Sequence, residues 1–234
     1  MAKKQYFLIL DTETTIENTV ADIGIVICDR QGNIHKEMAV LIKGEFDAKS
    51  LFYDVNSKDE IWTKRGLEKR MQNYVNMLNS GQRMIASVNA VNRWLDSAIA
   101  QYNPTLTAYN LAFDIDKCQN TGIDLNGFTD RFCLWQAAYG HYANTKAFKN
   151  FVIQNHLFNS PTELGNMTFK TNAEVMASFI ANEMLPSEPH TALEDAKFYE
   201  LPILKDIVKK SKWRDKIKPY NWRDCQVKDH FTAK

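Results

Sequence analysis

The sequence predicts an α/β domain, in which a mixed β-sheet begins as an antiparallel meander, continues with parallel strands and carries helices on its faces. Three apolar, β-branched segments separated by short turns occupy the first 42 residues, which is typical of an antiparallel meander. Further along the chain, short strand patterns alternate with helical patterns, as expected of parallel strands joined by helices. With 234 residues, 44% of them hydrophobic, the chain can form one sizeable core.

The first three strands are predicted at residues 5–11, 20–29 and 34–42. The first is a continuous apolar run, Tyr-Phe-Leu-Ile-Leu, that ends in an aspartate, and the second is rich in β-branched residues. Gln31-Gly32-Asn33 is a turn signal that returns the chain into the third strand.

Residues 44–81 resemble an insertion, with a loop to Asn56 and then a helical pattern over residues 59–78. The predicted apolar stripe of this helix comprises Ile61, Leu67, Met71, Val75 and Leu78. Its basic residues are interpreted as a solvated face in preference to a nucleic-acid patch: Lys64, Arg65, Lys69 and Arg70. Three aromatic side chains either stack on unpaired bases or, as we favour, anchor the segment to the core: Phe52, Tyr53 and Trp62.

The remaining elements follow from caps and periodicity. Ser87 is expected to cap a helix that runs to Gln101 and buries Val91, Leu95 and Ile99. A strand at 105–109 leads to Asn110, a predicted helix N-cap, and a helix to Asn120. A strand at 130–134 and helices at 136–157, 172–184 and 191–210 complete the prediction.

The predicted organisation is one domain over residues 1–210 and a basic, aromatic tail over residues 211–234. The whole chain has a formal net charge of +1, whereas residues 209–234 hold nine Lys or Arg and three Asp, a net charge of +6. Two uses of the tail stay open, namely binding of single-stranded nucleic acid or packing of its rings on the domain. The rings and charges concerned are Trp213, Tyr220, Trp222 and Phe231 with Lys212, Arg214, Lys216, Lys218, Arg223 and Lys228.

The cysteines and the N-terminal segment favour a reduced, cytoplasmic setting. The four cysteines are far apart in sequence and form no CxxC pair, which disfavours a zinc site or a disulfide framework. The apolar run before Asp11 is too short for a signal peptide or a membrane span. We therefore expect a soluble, intracellular protein without a membrane partner.

Two carboxylates at the end of the first strand are the most informative feature of the sequence. Asp11 and Glu13 are two positions apart, so in a strand they point to the same face. Like charges close together in a low dielectric repel each other, and a divalent cation with hard oxygen ligands relieves that repulsion. The pair therefore predicts half of a metal site.

Two later segments add carboxylates at the ends of elements. Asn110 and Asp114 are four residues apart and share a helix face, although a capping Asn and a surface Asp are an equally ordinary interpretation. In His190-Thr191-Ala192-Leu193-Glu194-Asp195, the histidine follows Pro189 at the start of a helix that contains Asp195. By contrast, helical spacing places Asp116 in solvent, and His141 and His156 are interpreted as packing or surface histidines.

Together the three segments resemble the three motifs of the DEDD superfamily of exonucleases. Asp-Thr-Glu ends the first strand, Asn-x-x-Phe-Asp lies in the middle and His-x-Ala-x-x-Asp-Ala lies near the end, and the histidine is typical of the His-bearing branch. That branch includes polymerase proofreading subunits, ribonuclease T and oligoribonuclease. The resemblance spans roughly residues 5–205 and does not include the tail.

The resemblance implies a ribonuclease H-like fold with a five-stranded mixed sheet flanked by helices. It implies that two divalent cations, Mg²⁺ or Mn²⁺, are held by Asp11, Glu13, Asp114 and Asp195, and that His190 is the general base. By the same resemblance, the terminal nucleotide is received by Thr12, Thr14, Thr15 and Asn110.

The expected activity is metal-dependent 3′–5′ exonuclease hydrolysis at single-stranded 3′ ends of DNA or RNA, with release of nucleoside 5′-monophosphates. One alternative keeps the chemistry in a subunit that proofreads for a polymerase and uses the basic, aromatic tail as its docking element. The expected partner is then a polymerase or a second copy of the chain. Another is a module that holds nucleic-acid ends without cutting them, which the complete set of carboxylates and the histidine disfavours. No motif distinguishes DNA from RNA, because that choice depends on how the site treats a 2′-hydroxyl.

Overall fold

A computed structural model describes residues 4–163 and 165–227, and in this part of the chain six strands form one mixed sheet. The strands are β1 (Tyr6–Thr14), β2 (Val20–Asp29), β3 (Ile34–Ile42), β4 (Met84–Ala86), β5 (Thr105–Ala108) and β6 (Arg131–Cys133). Their order in the sheet is β4-β3-β2-β1-β5-β6. β1, β2 and β3 are antiparallel, and each of the other three strands is parallel to its neighbour. The predicted α/β class and the antiparallel meander are confirmed.

The expected count of five strands is wrong, because β4 extends the sheet beyond β3. β4 has only three residues, which are too few to show an alternating pattern in the sequence. The side chains of two of them, Met84 and Ile85, are exposed although they are apolar. β1 is also longer than predicted, since it continues to Thr14. Asp11 and Glu13 therefore lie within the strand and share one of its faces.

Eight helices flank the sheet in the described ranges. They are α1 (Lys64–Asn79), α2 (Val88–Tyr102), α3 (Leu111–Thr121), α4 (Leu134–Ala138), α5 (Lys146–Gln154), α6 (Ala173–Ala181), α7 (Ala192–Asp195) and α8 (Leu201–Val208). Ser87 caps α2 as predicted, by accepting a hydrogen bond from the backbone N–H of Ala90. The predicted helix over residues 136–157 is interrupted, because a π turn follows α4 and Thr145 caps a new helix. None of the helices described is long and apolar enough to cross a membrane.

Alternation along β1 divides the core into two layers. Phe7 and Ile9 pack against the layer that contains α4, α6 and α8, whereas Leu8 and Leu10 pack against α2 and α3. The sheet is thus covered on both faces, as expected when helices connect parallel strands. Asp11 and Glu13 continue the odd-numbered face and so point toward the layer of α7 and α8.

Segment 44–81 packs on the domain through α1, and Leu67, Met71 and Leu78 of the predicted stripe pack against the core, whereas Val75 does not. Tyr74 and Met77 are buried in a small cluster with Phe46, whereas Val75 is 43% exposed. Arg70, predicted to be solvated, is only 4% exposed. Its guanidinium donates a hydrogen bond to the carbonyl oxygen of Phe52 at 2.6 Å, so a polar side chain occupies an inward position that apolar periodicity does not reveal.

The described part of the tail packs its rings on the domain. Trp213 is 6% exposed and lies 4.8 Å from Phe132, measured between ring centroids. Tyr220 stacks on Trp135 at 5.0 Å. Of the two open uses of the tail, ring packing is confirmed for these two side chains, while Trp222 keeps 42% of its surface exposed. Lys228 and Phe231 lie outside the described residues.

A buried ion pair connects the sheet to the elements around it. Asp22 on β2 is fully buried, and its carboxylate accepts hydrogen bonds from Arg83 at 3.1 Å and from the Tyr74 hydroxyl at 3.0 Å. The same carboxylate accepts the backbone N–H of Ala192 at 3.0 Å, and Arg83 also binds Glu194. Asp22 therefore joins β2, α1, the segment before β4 and the start of α7.

We expect Arg83→Met to lower the free energy of unfolding by about 3–5 kcal/mol, because it leaves the buried charge of Asp22 without its partner. Urea denaturation followed by circular dichroism measures the change. The matched control is Lys69→Met, which removes an exposed cation from its pair with Glu60 and is expected to cost at most about 1 kcal/mol. Equal losses in the two variants would contradict the role assigned to this ion pair.

Candidate metal centre

The carboxylates predicted from the sequence lie at one edge of the sheet because β1 and β5 are parallel. Leu8 pairs with Leu106, so the carboxyl ends of both strands point the same way. Asp11 and Glu13 lie at the end of β1, and α3 begins three residues after β5. Asp114 occupies the first turn of α3 and is almost fully buried.

A threonine between the two acids of β1 fixes the position of Asp114. The hydroxyl of Thr12 donates a hydrogen bond to Asp114 Oδ1 at 2.8 Å, and both side chains are buried. Alternation along β1 directs Thr12 to the face of α3 and directs Asp11 and Glu13 to the opposite face. The Asp-Thr-Glu sequence therefore provides two carboxylates and also the contact that holds a third.

Asp195 reaches the site because α7 packs directly on β2. A Cβ added to Gly24 would lie 2.2 Å from the carbonyl carbon of Ala192, so only glycine permits this approach. One oxygen of Asp195, Oδ2, accepts the backbone N–H of Thr191 at 3.1 Å. The other, Oδ1, is buried and has no hydrogen-bond partner among the described residues.

His190 lies just before α7 and faces the carboxylates. Its Nδ1 is 3.9 Å from Glu13 Oε1, and its backbone has a left-handed φ of 54°. Glu13, His190 and Asp195 each offer a ligand atom within 4.8 Å of the others. The His190 ring packs on Trp62 of segment 44–81, with 4.6 Å between the ring centroids. The anchoring contact that we favoured for Trp62 is therefore made at this site.

Burial raises the pKa of every carboxylate in the set, and neighbouring negative charges raise those of Asp11, Glu13 and Asp195 further. Burial is the main cause for Glu13, Asp114 and Asp195, whose pKa values rise to about 8, about 7 and about 9. The pKa of Asp11 rises well above its ordinary value through burial and through the charges of its neighbours, including the other three acids. The metal-free site therefore retains protons at neutral pH, and a bound cation favours the ionised carboxylates that ligate it.

The environment of His190 favours the neutral imidazole. Burial and the nearby positive charge of Arg70 lower the pKa of His190 to about 4, below the near-neutral value that its predicted role suggests. A neutral imidazole has a free nitrogen lone pair at pH 7, which is the state that accepts a proton. The geometry is therefore compatible with the predicted role as a base.

The donor set fits a hard divalent cation. Carboxylate oxygens predominate, as Mg²⁺ and Mn²⁺ prefer, and the unpartnered buried oxygen of Asp195 is an unused ligand atom. Glu13, Asp195 and His190 form the tightest group, while Asp11 and Asp114 lie close enough for their charges to interact. The number and kind of cations stay a prediction.

The four residues predicted to receive a nucleotide differ in their surroundings. The Thr12 hydroxyl donates its hydrogen bond to Asp114. The hydroxyl of Thr15 is buried and hydrogen-bonded to that of Thr19 at 2.7 Å. Thr14 is half-buried, and its carbonyl oxygen accepts the backbone N–H of Phe52 at 2.8 Å. The contacts predicted for these threonines stay predictions.

Asn110 occupies the N-cap position of α3 but does not cap it with its side chain, which corrects the prediction. Its backbone is left-handed, with a φ of 74°, and that conformation turns the side chain away from the helix start. Asn110 instead lines a surface pocket of about 490 Å³ with Tyr109, Trp135 and Lys170. A second pocket, of about 320 Å³, includes His190, Glu188 and Asp59.

Asp116, His141 and His156 lie in the surroundings that the sequence predicted for them. Asp116 is exposed and pairs with Lys117 at 2.8 Å. His141 is buried, with Nε2 3.0 Å from the carbonyl oxygen of Trp213, and His156 is exposed.

Three residues at the site were not predicted. Arg70 and Trp62 come from segment 44–81, where a helical pattern alone does not show which polar residue turns inward. Glu200 is a buried acid five residues after Asp195, a separation that would place it on another side of a regular α-helix. The only sequence signal for Glu200 is an acid within an otherwise apolar helix face.

No known family model matches this chain, and no curated protein matches it significantly. What can be said of function therefore depends on the chemistry of the site itself.

We expect the metal-free protein to lose stability as pH rises from 5 to 9. A carboxyl whose pKa is higher in the folded than in the unfolded chain stabilises the fold fully below its unfolded pKa, about 4, and this contribution is lost as pH rises through the folded pKa. For Asp114, Glu13 and Asp195 the folded values are about 7, 8 and 9. Melting temperatures in EDTA across this range measure the slope.

Glu13→Gln serves as the comparison, because it removes one of the titrating groups while keeping the side-chain shape. The fall in melting temperature should be smaller in this variant than in the wild type. A wild-type profile that is flat or rises between pH 5 and 9, with no difference from Glu13→Gln, would contradict the electrostatic description.

Proposed function

We propose that this protein is a metal-dependent 3′–5′ exonuclease that hydrolyses phosphodiester bonds at single-stranded ends of DNA or RNA. The observation that carries the proposal is the convergence of Asp11, Glu13, Asp114 and Asp195 on one buried edge of the sheet, with His190 facing them. These residues come from three separate parts of the chain, and all of them belong to the three sequence motifs.

The resemblance and the architecture support the same proposal from different directions. The mixed sheet flanked by helices agrees with the coarse form of the expected fold, and the finer assignment to a ribonuclease H-like fold is part of the proposal. In this proposal the four carboxylates hold two divalent cations. Such cations, when bound, activate water and neutralise the leaving 3′-oxygen in phosphodiester hydrolysis.

The residues of the chain have distinct tasks in this proposal. His190 accepts the proton of the attacking water, because its imidazole is neutral and partly exposed beside Glu13. Thr12 keeps Asp114 in place through its hydroxyl. In this proposal Asn110 and the surface pocket that it lines contact the nucleic acid.

Segment 44–81 gives the proposed active site a wall on the His190 side. The guanidinium of Arg70 lies 4.9 Å from the centre of the Trp62 ring, which in turn packs on His190. A wall this close to the general base favours a narrow substrate, which supports single-stranded ends over duplexes.

The alternative role as a proofreading subunit relied on the tail as a docking element. Trp213 and Tyr220 are covered by the chain's own domain, so neither is available to a partner in this structure. Stand-alone hydrolysis is therefore the preferred form of the proposal.

We expect Asp11→Asn to lower the rate of hydrolysis roughly 10³-fold or more, since groups that act as one catalytic unit lose most activity when one is removed. The assay is a time course with single-stranded DNA and RNA of the same sequence, each labelled at the 5′ end, in Mg²⁺, in Mn²⁺ and in EDTA. A ladder that shortens from the 3′ end shows the predicted direction of cutting.

Asp116→Asn is the matched control, because it removes an exposed carboxylate close in sequence to Asp114 and should retain full activity. A duplex of the same sequence tests the preference for single strands. Unchanged activity of Asp11→Asn, or no hydrolysis of either nucleic acid by the wild type with Mg²⁺ or Mn²⁺, would refute the proposal.

A further inference from the structure

A fifth buried carboxylate, Glu200, lies beside the four that the sequence motifs contain. Its side chain is 2% exposed, which is unusual for a glutamate unless it is paired with a cation. Among the described residues none provides such a cation, since Glu200 has no salt bridge. The motifs do not include this residue, and its burial therefore calls for a separate explanation.

A π turn brings Glu200 to the site. In a regular α-helix, residues five apart are separated by about 140° around the axis, so Glu200 would point away from Asp195. The π turn over Ala196–Glu200 closes with a hydrogen bond from the N–H of Leu201 to the carbonyl of Ala196, five residues apart. This wider turn rotates Glu200 back toward the face of Asp195. Single π turns within helices are frequent at functional sites.

The two carboxylate oxygens of Glu200 differ in their hydrogen bonding. Oε1 accepts the backbone N–H of Tyr109, at the end of β5, at 3.3 Å. Oε2 is buried and has no hydrogen-bond partner in the described part of the chain. A buried, unpartnered carboxylate oxygen is costly unless a ligand completes it.

The charge pattern places Glu200 on the side of Asp11 and Asp114. After burial, the charge of Glu200 is the largest cause of the raised pKa of Asp11, and the charge of Asp114 is the largest for Glu200. Glu13, His190 and Asp195 form a separate tight group, in which each residue offers a ligand atom within 4.8 Å of the others. Glu200 is thus suited to a cation shared with Asp11 and Asp114.

We propose that Glu200 is a fifth carboxylate of the metal centre and binds, directly or through one water, a divalent cation on the side of Asp11 and Asp114. The proposal deepens the proposed function and rests on it only in sharing the same site. Tyr109 is the positioning contact, because its backbone N–H fixes one oxygen of Glu200 and leaves the other directed at the cation.

The test variant is Glu200→Gln, whose side-chain carbonyl can still accept the N–H of Tyr109 while the negative charge is lost. Purified full-length protein is titrated with Mn²⁺ alone, and electron paramagnetic resonance measures the free ion. We expect at least one bound Mn²⁺ to be weakened roughly 10–100-fold relative to the wild type. Asp116→Asn, which removes an exposed carboxylate, should bind Mn²⁺ like the wild type.

A second measurement distinguishes a metal-binding role of Glu200 from a purely structural role. In EDTA the melting temperature of Glu200→Gln should rise, because the variant removes one unpaired charge from the cluster, and the gain should disappear when Mn²⁺ is added. Unchanged Mn²⁺ binding, or a folded state that is lost or weakened in EDTA, would overturn the proposal by showing a structural role.

The two proposals fail in different ways. If the wild type degrades nucleic acid but Glu200→Gln binds Mn²⁺ normally, only the assignment of Glu200 is wrong. If Glu200→Gln weakens Mn²⁺ binding but the wild type cuts no nucleic acid, only the exonuclease assignment is wrong.

Discussion

The mutual repulsion of buried carboxylates is the constraint on which the rest of this structure depends. Asp11, Glu13, Asp114 and Asp195 are held close together where water is scarce, and the pKa of each one is raised. Groups of like charge move apart unless the surrounding fold prevents it or a cation neutralises them. The scaffold must therefore hold the site together against its own electrostatic free energy, and the same free energy favours cation binding.

The scaffold meets this requirement with contacts that lie just outside the site. The hydroxyl of Thr12 holds Asp114, and Gly24 allows α7 to lie directly on β2. Asp22 and Arg83 bind the start of that helix to the sheet through a fully buried ion pair. The backbone N–H of Ala192 donates to Asp22, so this ion pair fixes the start of α7 and with it the position of Asp195.

Segment 44–81 contacts both the buried ion pair of Asp22 and the surroundings of His190. α1 covers one end of the sheet, and its Tyr74 donates to Asp22, so the segment supports the same helix start that carries Asp195. Trp62 and Arg70 then shape the surroundings of His190, where the positive charge of Arg70 helps keep the imidazole neutral. This segment thus contributes to both the stability of the site and its electrostatic character.

The sequence by itself determined the α/β class, the meander of β1, β2 and β3, and the motif residues, because strand alternation, turn residues and paired carboxylates are local signals. Other features depend on the tertiary structure, because no local pattern in the sequence indicates them. β4 is too short and too exposed to show a period, and Arg70 turns inward only because the carbonyl of Phe52 and the charge of Glu13 lie there. Glu200 joins the site through a π turn between α7 and α8, and the 3.6-residue period of the sequence does not reveal the wider spacing of that turn.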